Sequence, residues 1–425
     1  MTGAPAPKFA AAARVALADT RARRELRAAA AVFGRRRAAV PEPPDWEALR
    51  AAGHAIRDAA LLGLDAHLER LERAVTQAGG TVHWAADAAQ ARRVVTALSR
   101  AAGADRVVLD DSLPVRELAL DAALSRAGIT TAGPPARGAD PGGEAEDGGG
   151  AARVAVAGVD FMVAETGTLV FVEAGDEPRA SGGEAETLVA VAGIETVVPE
   201  WRDMEVLLQL LPRSLTGERM TALVTCLTGV VPGDGPREVH LVLVDNGRTR
   251  VLEDEIGRDA LRCIRCRACH HVCPVYERTG GAPYGPVHTG PIGAILTPQL
   301  RGVESAAAAS LPYASTLCGA CADVCPVRID IPEVLVHLRG EVVESRRARP
   351  VPPPELVLMR GLAWTMGEPR RYEAALRRGT RWARLAARGG RIRRLPGLLG
   401  AWTDARDLPA PPAEPFRAWW ARRRR

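Results

Sequence analysis

The sequence predicts an α+β multidomain protein, in which an α/β domain is followed by a smaller, mostly α-helical domain. Three observations predict this fold. Strand-like and helix-like segments alternate over residues 81–250, as in domains with a largely parallel sheet. Seven of the eight cysteines then lie within residues 263–325. Arginine and proline are frequent in the remaining segment, from residue 346 onward. We expect four parts: an N-terminal helical segment (1–78), the α/β domain (79–250), the cysteine domain (251–345) and a basic helical tail (346–425).

Composition places the chain among globular proteins. It has 425 residues, of which 47% are hydrophobic and 25% charged, so wholesale disorder is excluded. No apolar run reaches the roughly 18 residues that a membrane span needs. The Ala-rich start is interrupted by charges and lacks the apolar core of a signal peptide. We therefore expect a cytoplasmic protein.

The basic charge is concentrated at the C-terminal end. Lys8 is the single lysine among 56 basic residues, and residues 341–425 hold 20 arginines against 8 acidic residues. A basic tail on a mildly acidic body suggests an acidic partner subunit or peripheral contact with a membrane surface. A solvated helical face is the alternative. We expect no nucleic-acid partner.

The first 75 residues have a helical pattern. Apolar residues recur at helical spacing, and the pattern stops at Gly79-Gly80. Prolines 41–44 break an earlier, Arg-rich helix. The residues of the apolar stripe are Leu61, Leu64, Leu68, Leu71 and Val75.

Buried strands and covering helices are predicted over the α/β domain. Several runs are nearly continuous in β-branched residues, as in parallel strands covered on both faces. The predicted strands are Thr81–Ala85, Arg106–Leu109, one starting at Ile129–Thr131, Val154–Val163, Thr168–Val172, Thr187–Ala192 and Val239–Val244. The predicted helices are one capped by Asp87 and ending near Ala102, Val115–Ala127 and Met204–Leu211. Residues 133–150 are rich in Gly and Pro and predict a flexible loop.

Two cysteine groups carry the chemistry. The first is Cys263-x2-Cys266-x2-Cys269-x3-Cys273-Pro274, which is the run of bacterial ferredoxins. The second is Cys318-x2-Cys321-x3-Cys325-Pro326, which matches the last three positions of that motif and has Ser315 at the first. In two-cluster ferredoxins the fourth cysteine of each run ligates the other cluster.

Crossed ligation assigns the seven cysteines to two iron–sulfur clusters in an α-helical ferredoxin-type domain. One [4Fe–4S] cluster takes Cys263, Cys266, Cys269 and Cys325. The second takes Cys273, Cys318 and Cys321 and lacks a fourth cysteine, so it is either a [3Fe–4S] cluster or a [4Fe–4S] cluster with another ligand. Two zinc sites are the rival interpretation. Seven thiols, the extra x2 step and both Cys-Pro pairs disfavour zinc, which binds four ligands per site.

Three features near these motifs have two interpretations each. Ser315 either ligates iron as an alkoxide or, as we favour, only hydrogen-bonds the turn. Cys226 either supplies the missing thiolate or, as we favour, packs in the interior. His270 and His271 either tune a cluster through hydrogen bonds to sulfur or, as we favour, are exposed polar residues.

Such clusters carry single electrons. No Rossmann, P-loop, catalytic-triad or zinc-protease motif appears. The motifs therefore predict a protein that relays electrons, with the substrate chemistry in a partner or in the α/β domain. No catalytic residue can be assigned.

Longer segments carry a specific family resemblance. Around the cysteines stand LRCIRCRACHHVCPVYERTGG, YGPVHTGPIGAILTP and LPYASTLCGACADVCPVRIDIPEVLVHLR; upstream stand VDFMVAETGTLVFVEAG, VAGIETVVP and VDNGRTR; the chain ends in PPAEPFRAWW. Together these resemble the iron–sulfur subunit of the L-lactate utilisation complex over most of residues 40–425.

The resemblance implies a lactate-utilisation domain with a sheet like those of sugar isomerases and CoA transferases, followed by a two-cluster ferredoxin domain. It implies an electron-transfer subunit that works with two other subunits in oxidising L-lactate to pyruvate, with a quinone as a candidate electron acceptor. Departures at residues 110–113, 133–150 and 173–176 all lie in the α/β domain. They motivate two alternatives: another 2-hydroxy acid such as glycolate as the substrate, or a non-catalytic iron–sulfur redox sensor.

Two short motifs of the α/β domain also have two interpretations. Glu165-Thr166-Gly167-Thr168 forms either a ligand-binding turn or, as we favour, a structural hairpin turn. Asn246-Gly247 predicts a turn, and Arg248 as an anion contact is the weaker interpretation.

Overall fold

The computed structural model describes residues 6–39, 42–134, 153–173, 185–217, 223–348, 350–351, 354–404 and 406–423. The chain divides into two compact units, residues 1–342 and 343–425. None of the helices in these ranges is long and apolar enough to cross a membrane. Most of the predicted loop at 133–150 lies outside the described residues.

Helices make up most of the described chain. The first fourteen are α1 (Phe9–Ala18), α2 (Thr20–Ala39), α3 (Trp46–Leu62), α4 (Leu64–Gln77), α5 (Ala88–Ala101), α6 (Leu113–Leu118), α7 (Leu120–Arg126), α8 (Trp201–Thr216), α9 (Arg248–Glu253), α10 (Ala268–His271), α11 (Tyr276–Thr279), α12 (Gly290–Arg301), α13 (Ala320–Asp323) and α14 (Ile331–Arg347). The second unit contains α15 (Pro354–Met366), α16 (Pro369–Ala386), α17 (Gly400–Thr403) and α18 (Phe416–Arg423).

Ten strands of the first unit form two sheets. They are β1 (Thr81–Ala85), β2 (Arg106–Leu109), β3 (Thr130–Ala132), β4 (Val154–Gly158), β5 (Phe161–Val163), β6 (Thr168–Glu173), β7 (Thr187–Gly193), β8 (Val197–Val198), β9 (Leu223–Leu227) and β10 (Glu238–Val244). A parallel sheet has the order β1-β10-β7-β4-β2-β3, and a second sheet has the order β8-β5-β6-β9. In the second unit, β11 (Arg391–Ile392) pairs antiparallel with β12 (Leu408–Pro409).

The sequence pattern accounts for the main elements of the parallel sheet. Every residue of β4 and β7 is buried, as the near-continuous apolar runs predicted. Four residues of the predicted apolar stripe, at 64, 68, 71 and 75, form the buried face of α4. The cap at Asp87 is confirmed: its carboxylate accepts the Gln90 N–H at 2.7 Å. Gln90 in turn accepts the Ala86 N–H at 3.0 Å, which completes a reciprocal cap at the start of α5.

Three predicted elements differ from the structure. The run Val154–Val163 is two strands in different sheets, because the chain turns after Gly158. The helix predicted over Val115–Ala127 is divided into α6 and α7 by Ala119, which adopts a left-handed conformation at φ 50°. The second sheet was not predicted. Within it β5 and β6 are antiparallel, so residues 165–167 form the hairpin turn that the sequence favoured.

A buried chain of ion pairs joins the parallel sheet to the cysteine region. Arg248, one turn beyond β10, donates to both carboxylate oxygens of Glu117 at 2.9 and 2.8 Å. The Arg248 Nε also donates to Glu195, which follows β7. The other oxygen of Glu195 accepts from Arg265, between the first two cysteines, at 3.3 Å. The carboxyl ends of β7 and β10 are thereby fixed to the first cysteine loop.

Because these ion pairs are buried, each charged side chain in them needs its oppositely charged partner. The side chains of Glu117, Glu195 and Arg248 are at most 10% exposed. Burial alone raises the pKa of Glu117, but the Arg248 guanidinium lowers it to about 2. Gly193 leaves space for the buried ion pairs, since a Cβ there would lie 2.1 Å from a Glu195 carboxylate oxygen. Arg248 is thus more than part of the predicted turn, and the anions that it contacts are carboxylates of the protein itself.

We predict that Glu117→Gln lowers the free energy of unfolding by about 3 kcal/mol, because it leaves part of a buried charge unpaired. Because the folded-state pKa is depressed, the contribution of Glu117 is present above its ordinary pKa of 4.5 and is lost as pH falls toward 2. Urea denaturation at several pH values measures both effects.

Glu25→Gln is the control, because the Arg21–Glu25 pair is exposed. Its loss should cost below about 0.5 kcal/mol. Equal costs for the two substitutions would contradict the structural role of the buried chain.

Candidate metal centre

The structure gathers the seven clustered cysteines into two groups. The electrostatic influence of each thiol on its neighbours shows which thiols are close. Cys263, Cys266 and Cys269 are influenced by one another or by Cys325, which is distant in sequence. Cys273 and Cys321 are instead influenced by Cys318. Cys325 of the second loop therefore lies near the thiols of the first loop.

The thiols of the first group are buried or partly buried. Cys266 and Cys325 are 7% and 8% exposed. Burial, together with the neighbouring Cys325 thiol, raises the pKa of the Cys263 thiol to about 11. Burial also raises the pKa of Cys269 well above its usual range, and neighbouring Cys266 acts in the same direction. Neutral thiols are therefore favoured here until a metal displaces their protons.

The second group reaches the surface. Burial, together with the neighbouring Cys273 and Cys318 thiols, raises the pKa of the Cys321 thiol to about 12. Cys318 itself is exposed. The Ala320 N–H and the Thr316 hydroxyl lower its pKa.

Backbone amides point at the sulfur atoms. Arg265 donates its N–H to Cys263 Sγ at 3.3 Å, and Tyr276 donates to Cys273 Sγ at 3.4 Å. Ile329 donates to Cys325 Sγ at 3.4 Å. Such bonds stabilise a thiolate and, with burial and net charge, set the reduction potential of an iron–sulfur cluster.

The sulfur spacing fits a cluster better than zinc. A tetrahedral zinc site with Zn–S bonds of about 2.3 Å brings its sulfurs to roughly 4 Å from one another. No three cysteine sulfurs in the described ranges lie within 4.8 Å of one another. A cubane of four irons separates its ligands more widely and does not require such a close group, and thiolates are its usual ligands.

Buried polar atoms near the cysteines also fit a cluster. Tyr284 is 3% exposed, and its hydroxyl has no hydrogen-bond partner among the described residues. Burial raises the pKa of Tyr284, and Cys273 and Cys269 raise it further, so the hydroxyl lies near both groups. A buried O–H donor without an acceptor is costly. Cluster sulfur would supply the acceptor.

The interpretation of His270 and His271 as exposed polar residues is wrong. His270 is 8% exposed and stacks on Tyr276 at 4.6 Å. Burial lowers its pKa to about 4, so it is a neutral imidazole, and its Nε2 has no partner among the residues described. His271 is half-buried and stacks on Phe33 at 4.1 Å. Both rings serve to pack α10 against its neighbours.

Two guanidinium groups face the first cysteine group. Arg57 of α3 is 1% exposed and donates to the backbone carbonyls of Val197 at 2.9 Å and Leu261 at 3.1 Å. Both Arg265 and Arg57 lower the pKa of Cys263, against the larger effect of burial. Four thiolates around a [4Fe–4S] core carry net negative charge, which these cations would balance. No sequence motif points to Arg57, which has the pattern of an ordinary polar position in a helix.

The favoured interpretation of Cys226 is also wrong. Cys226 lies on β9 opposite Val170 and is exposed rather than packed in the interior. Burial accounts for the rise in its pKa, with no contribution from another cysteine. It belongs to neither group. Ser315 stands at the turn before Cys318, where its hydroxyl accepts the Leu317 N–H at 3.1 Å.

We predict that Arg265→Gln shifts the midpoint potential of the first cluster to a more negative value, because it removes a positive charge that favours the reduced form. The expected shift is on the order of 50 mV, since about 59 mV corresponds to a tenfold change for one electron. An EPR-monitored redox titration measures it. Arg267→Gln is the control, because Arg267 is in the same loop but exposed. Equal shifts in the two variants would contradict the role of Arg265.

Comparison with protein families identifies three consecutive regions. Residues 68–244 match the LUD domain, residues 259–329 match a 4Fe-4S dicluster domain, and residues 338–425 match the C-terminal region of lactate utilisation protein B. The parallel sheet belongs to the first region and the seven clustered cysteines to the second. The fold is thus an α/β LUD domain followed by a helical ferredoxin-type domain.

Similar proteins share most of the length of the chain. Lactate utilization protein B 1 of Bacillus mycoides is 35% identical, over 88% of this chain and 87% of its own. Lactate utilization protein B of Oceanobacillus iheyensis is 34% identical, over 89% and 88%. A solved duf162 family protein from Deinococcus radiodurans is 20% identical over 43% of this chain and 98% of its own; its TM-score of 0.31 is too low to support an argument about the fold. From the identity and coverage of these relatives, the chain belongs to the lactate utilisation protein B family.

Proposed function

We propose that this chain is the electron-transfer iron–sulfur subunit of a multi-subunit complex that oxidises L-lactate to pyruvate. The observation that supports the proposal is the gathering of seven cysteines into two groups, of which one includes the exposed Cys318 and the other has no exposed member. The names of the relatives supply the substrate. Bound clusters would supply one-electron transfer.

The ligand assignment follows the two groups. Cys263, Cys266, Cys269 and Cys325 hold one [4Fe–4S] cluster. Cys273, Cys318 and Cys321 hold the second, which is a [4Fe–4S] or a [3Fe–4S] cluster. The protein's contribution is to exclude water from the first group, to direct N–H donors at the sulfurs and to place Arg57 and Arg265 beside Cys263.

The number of electrons released by the reaction indicates that partner subunits take part. Oxidation of L-lactate to pyruvate releases two electrons and two protons, whereas each cluster exchanges one electron at a time. Two other lactate-utilisation subunits therefore provide the substrate site and the exit path, with a quinone as the candidate acceptor. The exposed Cys318 supports exchange at the second group.

The C-terminal unit supports contact with an acidic partner subunit or a membrane surface. Trp382 and Leu385 on α16 are 75% and 81% exposed. The helix also carries six arginines and a single glutamate. Exposed apolar side chains among cations suit either an acidic protein face or an anionic lipid surface.

A redox sensor is the second candidate function. The exposure of Cys318, together with a group of only three cysteines, favours it, because such a cluster would be readily lost in air. In that case oxygen would reversibly remove the second cluster and change partner binding. Rapid transfer of electrons to a quinone or dye acceptor would contradict it.

We predict that a deletion strain loses growth on L-lactate as sole carbon source and that a Cys266→Ala gene does not restore it, because this buried thiol would ligate the first cluster. Growth on D-lactate and glycolate should be unaffected. Cys226→Ala is the matched control and should restore growth fully, since Cys226 is outside both groups. Normal growth of the deletion strain on L-lactate with loss on glycolate would move the function to another 2-hydroxy acid.

Crossed ligation makes a second prediction. Cys325→Ala and Cys266→Ala should remove the same EPR signal, although the two residues are far apart in sequence. Cys321→Ala should remove the other signal. Loss of different signals in the first two variants would show that the assignment is wrong.

A further inference from the structure

The two cysteine loops share a backbone pattern. In the first loop, Arg265 and Arg267 flank Cys266 with left-handed φ values of 61° and 56°. In the second, Leu317 and Gly319 flank Cys318 with φ values of 55° and 85°. Left-handed backbone is costly for side chains other than glycine. In the described part of the chain six non-glycine residues adopt it, and three of them are these loop positions, so the repetition reflects a shared requirement.

Ser315 occupies the position of the first ligand in this pattern. Cys263 is three residues before Cys266, as Ser315 is before Cys318. The N–H of Arg265 reaches Cys263 Sγ at 3.3 Å, and the N–H of Leu317 reaches Ser315 Oγ at 3.1 Å. A hydrogen bond to the turn is the favoured role of Ser315 in the sequence. Cys263, a predicted iron ligand, accepts the same kind of hydrogen bond, so this bond does not distinguish the two roles of the serine.

The turn is held in place from α14. Arg339 donates to the backbone carbonyls of Ser315 at 3.3 Å and Pro312 at 2.9 Å. Its guanidinium places a positive charge beside the turn, which favours an anionic oxygen there. Ser315 is partly exposed, so a proton leaving the hydroxyl has access to water.

We propose that Ser315 Oγ is the fourth protein ligand of the second cluster, together with Cys273, Cys318 and Cys321; this rests on the two-cluster assignment proposed above. An Fe–O bond forms, the O–H bond breaks and the proton passes to water. No oxidation state changes. The second cluster is then a [4Fe–4S] cluster with one oxygen ligand.

The test uses the full chain reconstituted anaerobically with iron and sulfide, as wild type, Ser315→Ala and Ser315→Cys. Iron content, EPR and 57Fe Mössbauer spectra are recorded. Ser315→Ala should lose one iron per chain and show the oxidised-state signal of a [3Fe–4S] cluster. Ser315→Cys should keep the iron content of wild type, change the signal of the second cluster and raise its midpoint potential.

Ser305→Ala is the matched control, because the Ser305 hydroxyl also accepts a backbone N–H, that of Ala308, at 3.1 Å. It should match wild type. Equal iron content and spectra in wild type and Ser315→Ala would overturn the ligand assignment alone, including the case in which both contain a [3Fe–4S] cluster. A wild-type chain with fewer than two clusters would overturn the two-cluster proposal and this inference with it.

Discussion

The buried ion-pair chain from Glu117 through Arg248 and Glu195 to Arg265 is the constraint on which the rest of the structure depends. Its members come from α6, from the ends of β7 and β10, and from the loop between Cys263 and Cys266. Each interior charge is tolerated only because the next one neutralises it. Sheet and cysteine loop must therefore form together, which explains why both belong to one compact unit.

The two cysteine groups have different surroundings, and the difference suits a relay. The first group is enclosed by apolar side chains and faced by guanidinium groups, so its potential is set by the protein. The second group opens to the surface at Cys318, so its properties respond to whatever docks there. Tyr284 lies near cysteines of both groups. This arrangement is what the proposed electron-transfer function would use, with one cluster inside the protein and the other near its surface.

Much of the fold followed from local patterns, whereas long-range polar partners did not. The stripe from Leu64 to Val75 and the runs in β4 and β7 predicted burial because each has one clear period. The break after Gly158 was missed because strands of both sheets are equally apolar. Cysteine spacing predicts crossed ligation, since only a few residues separate neighbouring thiols, and the ligand assignment stays a prediction. The roles of Arg57 and Glu195 could not be predicted from the sequence, because their partners are set by tertiary contacts.

Crossing of the two loops also has a consequence for biosynthesis. Cys325 lies near a group whose other members are synthesised some sixty residues earlier. Cys273 lies near Cys318 and Cys321, which are synthesised later. The second group cannot be complete before residue 321 has left the ribosome, and the first cannot be complete before residue 325 has left it. On the proposed ligand assignment, assembly of both clusters would therefore follow release of that segment. Until then the unpaired thiols depend on a reducing compartment or on a carrier protein that shields them.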